Sequence, residues 1–310
     1  MNIIGRRKIW YLISILLILP GVLSLIFWGL KTGIDFRGGT LLEIQFKDQK
    51  SATDIRSNLD SLDGQPFKNA NIQPSGDGII IRTEEMTEEN QKKLTEALSR
   101  VGEYQQNRLE TVGPTVSADL KRKAIISVIL ATLVIIVYIA IAFRKVPKPA
   151  NSWRFGICAV LALIHDILFV VGVFAILGHF FGYEVDSLFI TALLTIMGFS
   201  VHDTIVVFDR IRENLRKSPS LNLPDGKAGF EMNVNNSILQ TLNRSLNTSF
   251  TVIIVLLSLY LLGGETLKHF ILALLIGIAI GTYSSIFNAS PLLVTWSAWA
   301  RRRETGRTGQ

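Results

Sequence analysis

Leu188-Phe-Ile-Thr-Ala-Leu-Leu-Thr-Ile-Met-Gly-Phe-Ser-Val-His-Asp-Thr-Ile-Val-Val-Phe208 is apolar along nearly its whole length, yet it carries Asp203 in its second half. At ~1.5 Å per residue such a helix crosses ~30 Å of hydrocarbon. An ionised Asp near the middle of a membrane helix costs on the order of 3 kcal/mol even on lenient scales, so a chain that keeps one pairs it, wets it or titrates it. A second acid, Asp166, interrupts another apolar stretch, Phe155 to Leu177. Function therefore begins as a question about moving charge.

Four further stretches complete a set of six: Ile9 to Leu30, Ala124 to Phe143, Leu246 to Leu262 and Phe270 to Trp296. The composition agrees, with 48% hydrophobic residues in 310 and a mean hydropathy of +0.36. The net charge of +7 comes without a long basic run, which argues against a nucleic-acid partner, whose binding surface would cluster Lys and Arg. The lone Cys158 excludes a disulfide within the chain and reads as a small buried hydrophobe. The first span follows Arg6, Arg7 and Lys8 but is too long for a secretory signal and lacks a small-x-small cleavage site, so it reads as a retained anchor kinked at Pro20-Gly21.

Orientation follows from the short loops. Arg6, Arg7 and Lys8, then Arg144, Lys145, Lys148 and Arg154, then Arg210, Arg212, Arg216 and Lys217, then Arg301, Arg302 and Arg303 all fall on one side. That side is the cytoplasm, which places both termini there. Lys121, Arg122 and Lys123 lie on the outer side, next to a long translocated segment that is largely exempt from the rule. Trp10, Trp28, Trp153, Trp296 and Trp299 sit at span ends, where the interface favours amphipathic rings.

The fold class expected is an α-helical polytopic membrane protein of six transmembrane helices with a small α+β extracytoplasmic domain between helices one and two. Its parts are residues 1–30 (basic segment and first span), 31–120 (outer domain), 121–300 (spans two to six, with a cytoplasmic loop 209–245) and 301–310 (basic tail). In the outer domain, Thr40 to Phe46 alternates as a strand and Ser51 to Leu59 reads as a helix capped by Ser51. Asn71 to Gln73 and Ile79 to Arg82 read as strands joined by a Gly76-Asp77-Gly78 turn, Thr87 to Val101 as a helix, and Leu109 to Val112 as a last strand. The order βαββαβ suggests a ferredoxin-like sandwich. It holds no cysteine, no histidine and no ligand-spaced carboxylates, so a binding or lever module fits better than an enzyme.

Within the fourth span Thr195, Ser200, Asp203 and Thr204 share part of one helical face. Asp203 lies ~22 Å from the outer surface and Arg244 ~27 Å, counted from Leu262, which puts them near one depth. Desolvation raises the proton affinity of a carboxylate and a nearby guanidinium lowers it, so motion of Arg244 relative to Asp203 would couple proton uptake to helix rearrangement. The competing readings are a structural hydrogen bond for Asp203 and snorkelling at a helix end for Arg244. Asp166, preceded by His165, is either a second relay group or a helix-helix tether. His202 stands beside Asp203 to tune it, and no second ligand at i plus 4 supports a metal; neither metal nor cofactor is called for. Gly172, Gly277 and Gly281 read as close-packing positions, and Ser284, Ser285, Asn288 and Ser290 as a polar face of span six.

Four motifs carry a resemblance: Gly33-Ile-Asp-Phe-Arg-Gly-Gly-Thr40, Val112-Gly-Pro114, Gly198-Phe-Ser-Val-His-Asp-Thr-Ile-Val-Val-Phe-Asp-Arg-Ile-Arg-Glu-Asn214, and Gln240-Thr-Leu-Asn-Arg-Ser-Leu-Asn-Thr-Ser249. Along essentially its whole length the chain resembles the SecF side of the SecD/SecF protein-export family, itself related to the resistance-nodulation-division transporters. The resemblance implies a six-span half that pairs with SecD in the bacterial inner membrane. It further implies cooperation with the SecYEG translocon and accessory membrane subunits, and use of the proton-motive force to pull an unfolded preprotein. The family's relay Asp falls on Asp203 and its fifth-span Arg on Arg244, while His202 stands where Asn is frequent. From the residues alone, Gly33 to Thr40 is a turn between a membrane helix and a strand, tight at Gly38 and Gly39, with Asp35 and Arg37 paired across it. A hinge passing helix motion to the outer domain is the functional reading of the same residues.

Two other classes compete with an export motor. Half of a proton-driven small-molecule efflux transporter fits the membrane part but would carry a larger outer region. An intramembrane protease would use Asp166 and Asp203 as a dyad sharing one proton.

Overall fold

The computed structural model describes residues 1–48, 50–62, 67–75, 78–144, 152–217 and 226–307. Gly76 and Asp77 of the expected turn, and Lys145 and Lys148 of the expected connector, lie outside the described residues. In chain order the elements are α1 (Arg7–Phe27), α2 (Ile34–Arg37), β1 (Gly39–Phe46), α3 (Ala52–Asp60), β2 (Asn71–Ser75), β3 (Gly78–Thr83), α4 (Glu88–Val101) and β4 (Tyr104–Val112). Then come α5 (Pro114–Ala142), α6 (Ser152–Phe181), α7 (Ser187–Lys217), α8 (Gly226–Leu262), α9 (Lys268–Ser284), a π-helical turn (Ser285–Ala289) and α10 (Ser290–Arg307). They form two compact units: Met1–Lys31 with Ser127–Tyr183 and Leu188–Gln310, and Thr32–Ile126 with Glu184–Ser187.

Among the described residues six helices are long and apolar enough to span a bilayer. They outrun the hydropathy pattern where backbone hydrogen bonding continues after the apolar run stops. α7 passes Phe208 to Lys217, carried by Arg210–Glu213 (2.6 Å) and Lys217–Glu213 (2.6 Å) pairs one turn apart. α8 starts well before Leu246 because Phe230, Val234 and Ile238 repeat every four residues and join the core. α7 and α8 are therefore helical through most of the stretch expected as the loop 209–245, with 218–225 outside the described residues.

The membrane unit packs around Phe143, Phe155 and Phe208, whose ring centroids lie 4.9–5.9 Å apart. Cys158 is fully buried there. The glycines let helix backbones meet. A Cβ on Gly172 would stand 2.6 Å from the Gly21 Cα, and one on Gly277 2.3 Å from Ile196 Cδ1. α1 continues through Pro20, and Gly21 next to it supplies the surface that α6 needs.

In the second unit the strands run antiparallel in the order β2-β3-β1-β4, between elements in the βαββαβ sequence. Leu42, Ile44, Phe46, Ile79 and Ile81 point to one face, where Ile55 and Leu59 of α3 and Leu94 and Leu98 of α4 cover them. Ser51 caps α3 through a reciprocal pair: its Oγ accepts from Asp54 N and its N donates to Asp54 Oδ2, both at 3.1 Å. β4 begins at Tyr104, earlier than the expected Leu109. Its first half is a solvated edge whose polar side chains hide the alternation.

Gly172→Val should weaken the α1–α6 contact by about 1–3 kcal/mol through overpacking. Gly198→Ala meets nothing within 4 Å and should leave stability unchanged or slightly raised. Unfolding midpoints of the two variants in detergent check the contrast.

Candidate functional site

Asp203 is 2% exposed on the face of α7 turned into the helix bundle. Ser245 of α8 and Thr282 of α9 flank its carboxyl. Oδ2 of Asp203 and Oγ of Ser245 are both buried without a hydrogen-bond partner, and no cation pairs with the acid among the described residues. An unsatisfied polar group in a bundle core costs about 1–3 kcal/mol, more if charged, and marks a position kept for something other than stability. Ser200 and Thr204 are buried on the same face, whereas Thr195 and His202 turn outward.

α8 presents a stripe that the sequence reading missed. Asn233, Ser237, Thr241, Ser245 and Ser249 are all buried and recur every four residues, so they line one side of the helix. Ser249 bonds Thr282, and Ser237 accepts from Asn214 Nδ2 at 2.8 Å. Gln240 Oε1 accepts from Arg210 Nε (2.6 Å) and Asn214 Nδ2 (2.9 Å), so the two motifs 209–214 and 240–245 close on each other. Four-residue spacing of small polar residues was the signal available in the sequence.

Arg244 lies about 100° round the helix from Ser245. It is exposed, and the structure does not bring it to Asp203. The expected pair is replaced by the Ser245 hydroxyl because the inward position on α8 is one residue later. Arg244 instead shares an exposed polar face with Asn247, Thr248 and Thr251. On α7, Thr191, Thr195, Gly198 and His202 form a second exposed face of polar or small residues.

Asp166 is completely buried. Its Oδ2 accepts from Ser200 Oγ of α7 at 2.5 Å and Ser284 Oγ of α9 at 2.7 Å, and its Oδ1 stands 3.0 Å from His165 Nδ1. Gly281 makes this convergence possible, since a Cβ there would sit 3.2 Å from Ser200 Cβ and 3.7 Å from Asp166 Oδ2. Among the described residues no group of three His, Cys, Asp or Glu is placed to hold a metal.

In the second unit the glycine motif forms a clasp with the segment Glu184–Ser187. Gly33 N donates to Val185 O at 2.9 Å, and Thr32 bridges Val185. Asp35 Oδ2 accepts from Ser187 N at 2.9 Å and from Ser187 Oγ. Ser187 is the first residue of α7, so Asp35 caps that helix from elsewhere in the chain. The expected Asp35–Arg37 pair is absent because the carboxylate is taken by Ser187, and Arg37 is exposed. Gly38 (φ 79°) and Gly39 (φ 124°) hold left-handed backbone, and a Cβ on Gly39 would strike Thr83 O at 2.4 Å. Arg82 of β3 pairs with Glu184 at 2.9 Å, both nearly buried. Burial pushes the Arg82 guanidinium below its ordinary value and Glu184 partly restores it; it stays charged at any physiological pH.

Two family models match the chain: "Protein export membrane protein SecD/SecF, C-terminal" over residues 91–299 and "SecD/SecF GG Motif" over residues 24–50. Protein translocase subunit SecF of Thermobaculum terrenum is 49% identical, the match covering 95% of this chain and 93% of the relative. The SecF subunit of Anaerolinea thermophila is 39% identical, covering 96% and 94%. The crystal structure of SecDF, a translocon-associated membrane protein from Thermus thermophilus, superposes with a TM-score of 0.83 at 33% identity. That match covers 96% of this chain and 38% of the SecDF chain, so the present chain spans well under half of it. SecDF in the super-membrane-facing form gives a TM-score of 0.69 at 32% identity, covering 99% and 40%.

Asp35→Ala should remove the cap on α7 at a cost of about 1 kcal/mol. Hydrogen exchange at the amides of residues 187–189 should then quicken about fivefold. Arg82→Gln, which takes the guanidinium away from the buried carboxylate of Glu184, should cost more, about 3–5 kcal/mol.

Proposed function

The chain belongs to the SecD/SecF family of protein-export membrane proteins, and on that footing we propose that it is the SecF-type half of a proton-driven motor that assists preprotein translocation. It is a multi-pass membrane protein and an auxiliary subunit of the Sec translocase; its companion half is SecD. The observation that carries the proton-driven part is Asp203, a buried acid with an unsatisfied oxygen, beside a helix whose arginine is turned outward.

A protonated Asp203 is neutral and tolerates its surroundings of two hydroxyls. A deprotonated one requires a cation or water, because its charge in lipid costs on the order of 3 kcal/mol. Losing the proton therefore drives a rearrangement of α7, α8 or the companion, and the change is reversed on reprotonation. One proton crossing the potential supplies about 2.3 kcal/mol per 100 mV, enough to tip a few-kcal/mol conformational bias. Arg244 and its exposed polar neighbours, with the outward face of α7, make a surface unsuited to acyl chains and suited to the companion half. Arg244 acts there, across the joint between halves.

The clasp gives the output. The glycine motif is the hinge of this reading: Asp35 holds Ser187, and Gly33, Gly38 and Gly39 lead from that clasp into β1. The client is an unfolded preprotein emerging from SecYEG on the outer side of the inner membrane, with both termini of this chain in the cytoplasm. The protease reading is less well supported, because Asp166 is hydrogen-bonded to Ser200, Ser284 and His165 while Asp203 is flanked by Ser245 and Thr282.

Asp203→Asn should leave the complex with SecD assembled while abolishing proton-dependent stimulation of secretion. Arg244→Met should behave alike, and its contact with SecD should weaken in copurification. Normal export by the Asp203 variant in energised vesicles would end the motor reading.

A further inference from the structure

Among the described residues Asp166 is the most deeply buried acid of the membrane unit, and the proton cycle of Asp203 makes no use of it. Its Oδ2 is filled by two serine hydroxyls, and these have only the carboxylate and a backbone carbonyl within reach to receive their protons. That leaves Oδ1 to His165, whose Nδ1–H donates to it in the tautomer the network dictates. His165 Nε2 is then a bare lone pair, and it is buried without a partner. The His165 side chain is 10% exposed and the Asp166 side chain 0%.

The charge count is uneven. With ionised Asp166 and neutral His165 the pair carries one negative charge inside the bilayer. Among the described residues the other groups facing it are Ser200 of α7, with Asp203 one turn further on, and Ser284 of α9; Tyr11, Ser14 and Asn288 line the same cavity as His165, and the Tyr283 ring lies 6.3 Å from the imidazole with its hydroxyl on Ser14 and the Trp10 carbonyl. Neither Lys nor Arg is among them. One additional proton, on the carboxyl or on Nε2, makes the pair neutral. A tether alone would need only hydrogen bonds, which an Asn supplies without charge, and would give no use to an orphaned Nε2.

The neighbours connect the pair to Asp203. Ser200 donates to Asp166 and precedes Asp203 by three residues on α7. Thr282 flanks Asp203 and Ser284 donates to Asp166, both from the last turn of α9, and the helix passes directly into the π-helical turn Ser285–Ala289. π-turns leave slack in the helical ladder and recur at functional sites. A small rotation of this segment changes the hydroxyls offered to both acids at once.

We propose that the Asp166–His165 pair is a second proton-loading site, coupled to Asp203 through Ser200, Thr282 and Ser284. It rests on the proton-driven reading and adds a second acid to it. A proton taken from water neutralises the pair, and the same proton returns to water on release; no other bond changes.

The test is pH-resolved infrared difference spectroscopy of the complex with SecD in lipid, with imidazole nuclear magnetic resonance of labelled His165 alongside. Two titrating groups are expected, one lost in Asp203→Asn and the other in Asp166→Asn. Ser284→Ala and Ser200→Ala, which keep both acids, should each move the Asp166–His165 transition by about one pH unit, the worth of one hydrogen bond to a charged group. They also serve if Asp166→Asn fails to assemble. A single titrating group that vanishes in Asp203→Asn, with no change at Asp166 or His165, overturns this proposal and leaves the motor reading intact. Absence of any titration at Asp203 overturns the motor reading itself.

Discussion

A carboxyl group in hydrocarbon must be solvated by the protein, and that single requirement organises the membrane unit. Hydroxyl donors reach Asp166 only because α7 and α9 approach each other over Gly281, and Ile196 seats against Gly277 one turn away. Ser200, Ser245, Thr282 and Ser284 are all buried between these helices, small enough to pack there and polar enough to face the acids. The small residues, the close crossings and the two acids are therefore one device, in which packing sets how well each charge is stabilised.

The outer unit obeys a different constraint. It has an ordinary apolar core under a four-stranded sheet, which holds its shape without help from the membrane. Within this unit the segment Glu184–Ser187 is held by polar contacts: the Asp35 carboxylate on Ser187 and the buried ion pair Arg82–Glu184. Two glycines with positive φ fix the path of the chain between clasp and sheet.

Much of this was legible in the sequence, because apolar runs near twenty residues and alternating strands depend on local pattern. The six spans, the order of sheet elements, the Ser51 cap and the buried Cys158 all followed from it. What escaped was rotational phase. Ser245 rather than Arg244 faces Asp203, since one residue turns a helix by about 100° and hydropathy does not register which neighbour points inward. Asp35 bonds a serine 152 positions away rather than the nearby Arg37, because local charge complementarity says nothing about a distant helix end. Helix ends at Pro114, Lys217 and Gly226 were also displaced, as charged and mixed segments continue a helix once lipid no longer selects its composition.

The outward polar face of α8 bears on how such a subunit is made. On the proposed pairing through this face, a copy inserted without its companion holds Arg244, Asn247, Thr248 and Thr251 against lipid tails, at a free-energy penalty of a few kcal/mol for the guanidinium alone. On that proposal, surplus copies dissolve poorly in the bilayer. Equal supply of the two halves becomes a physical demand of biogenesis, written into one side of a single helix.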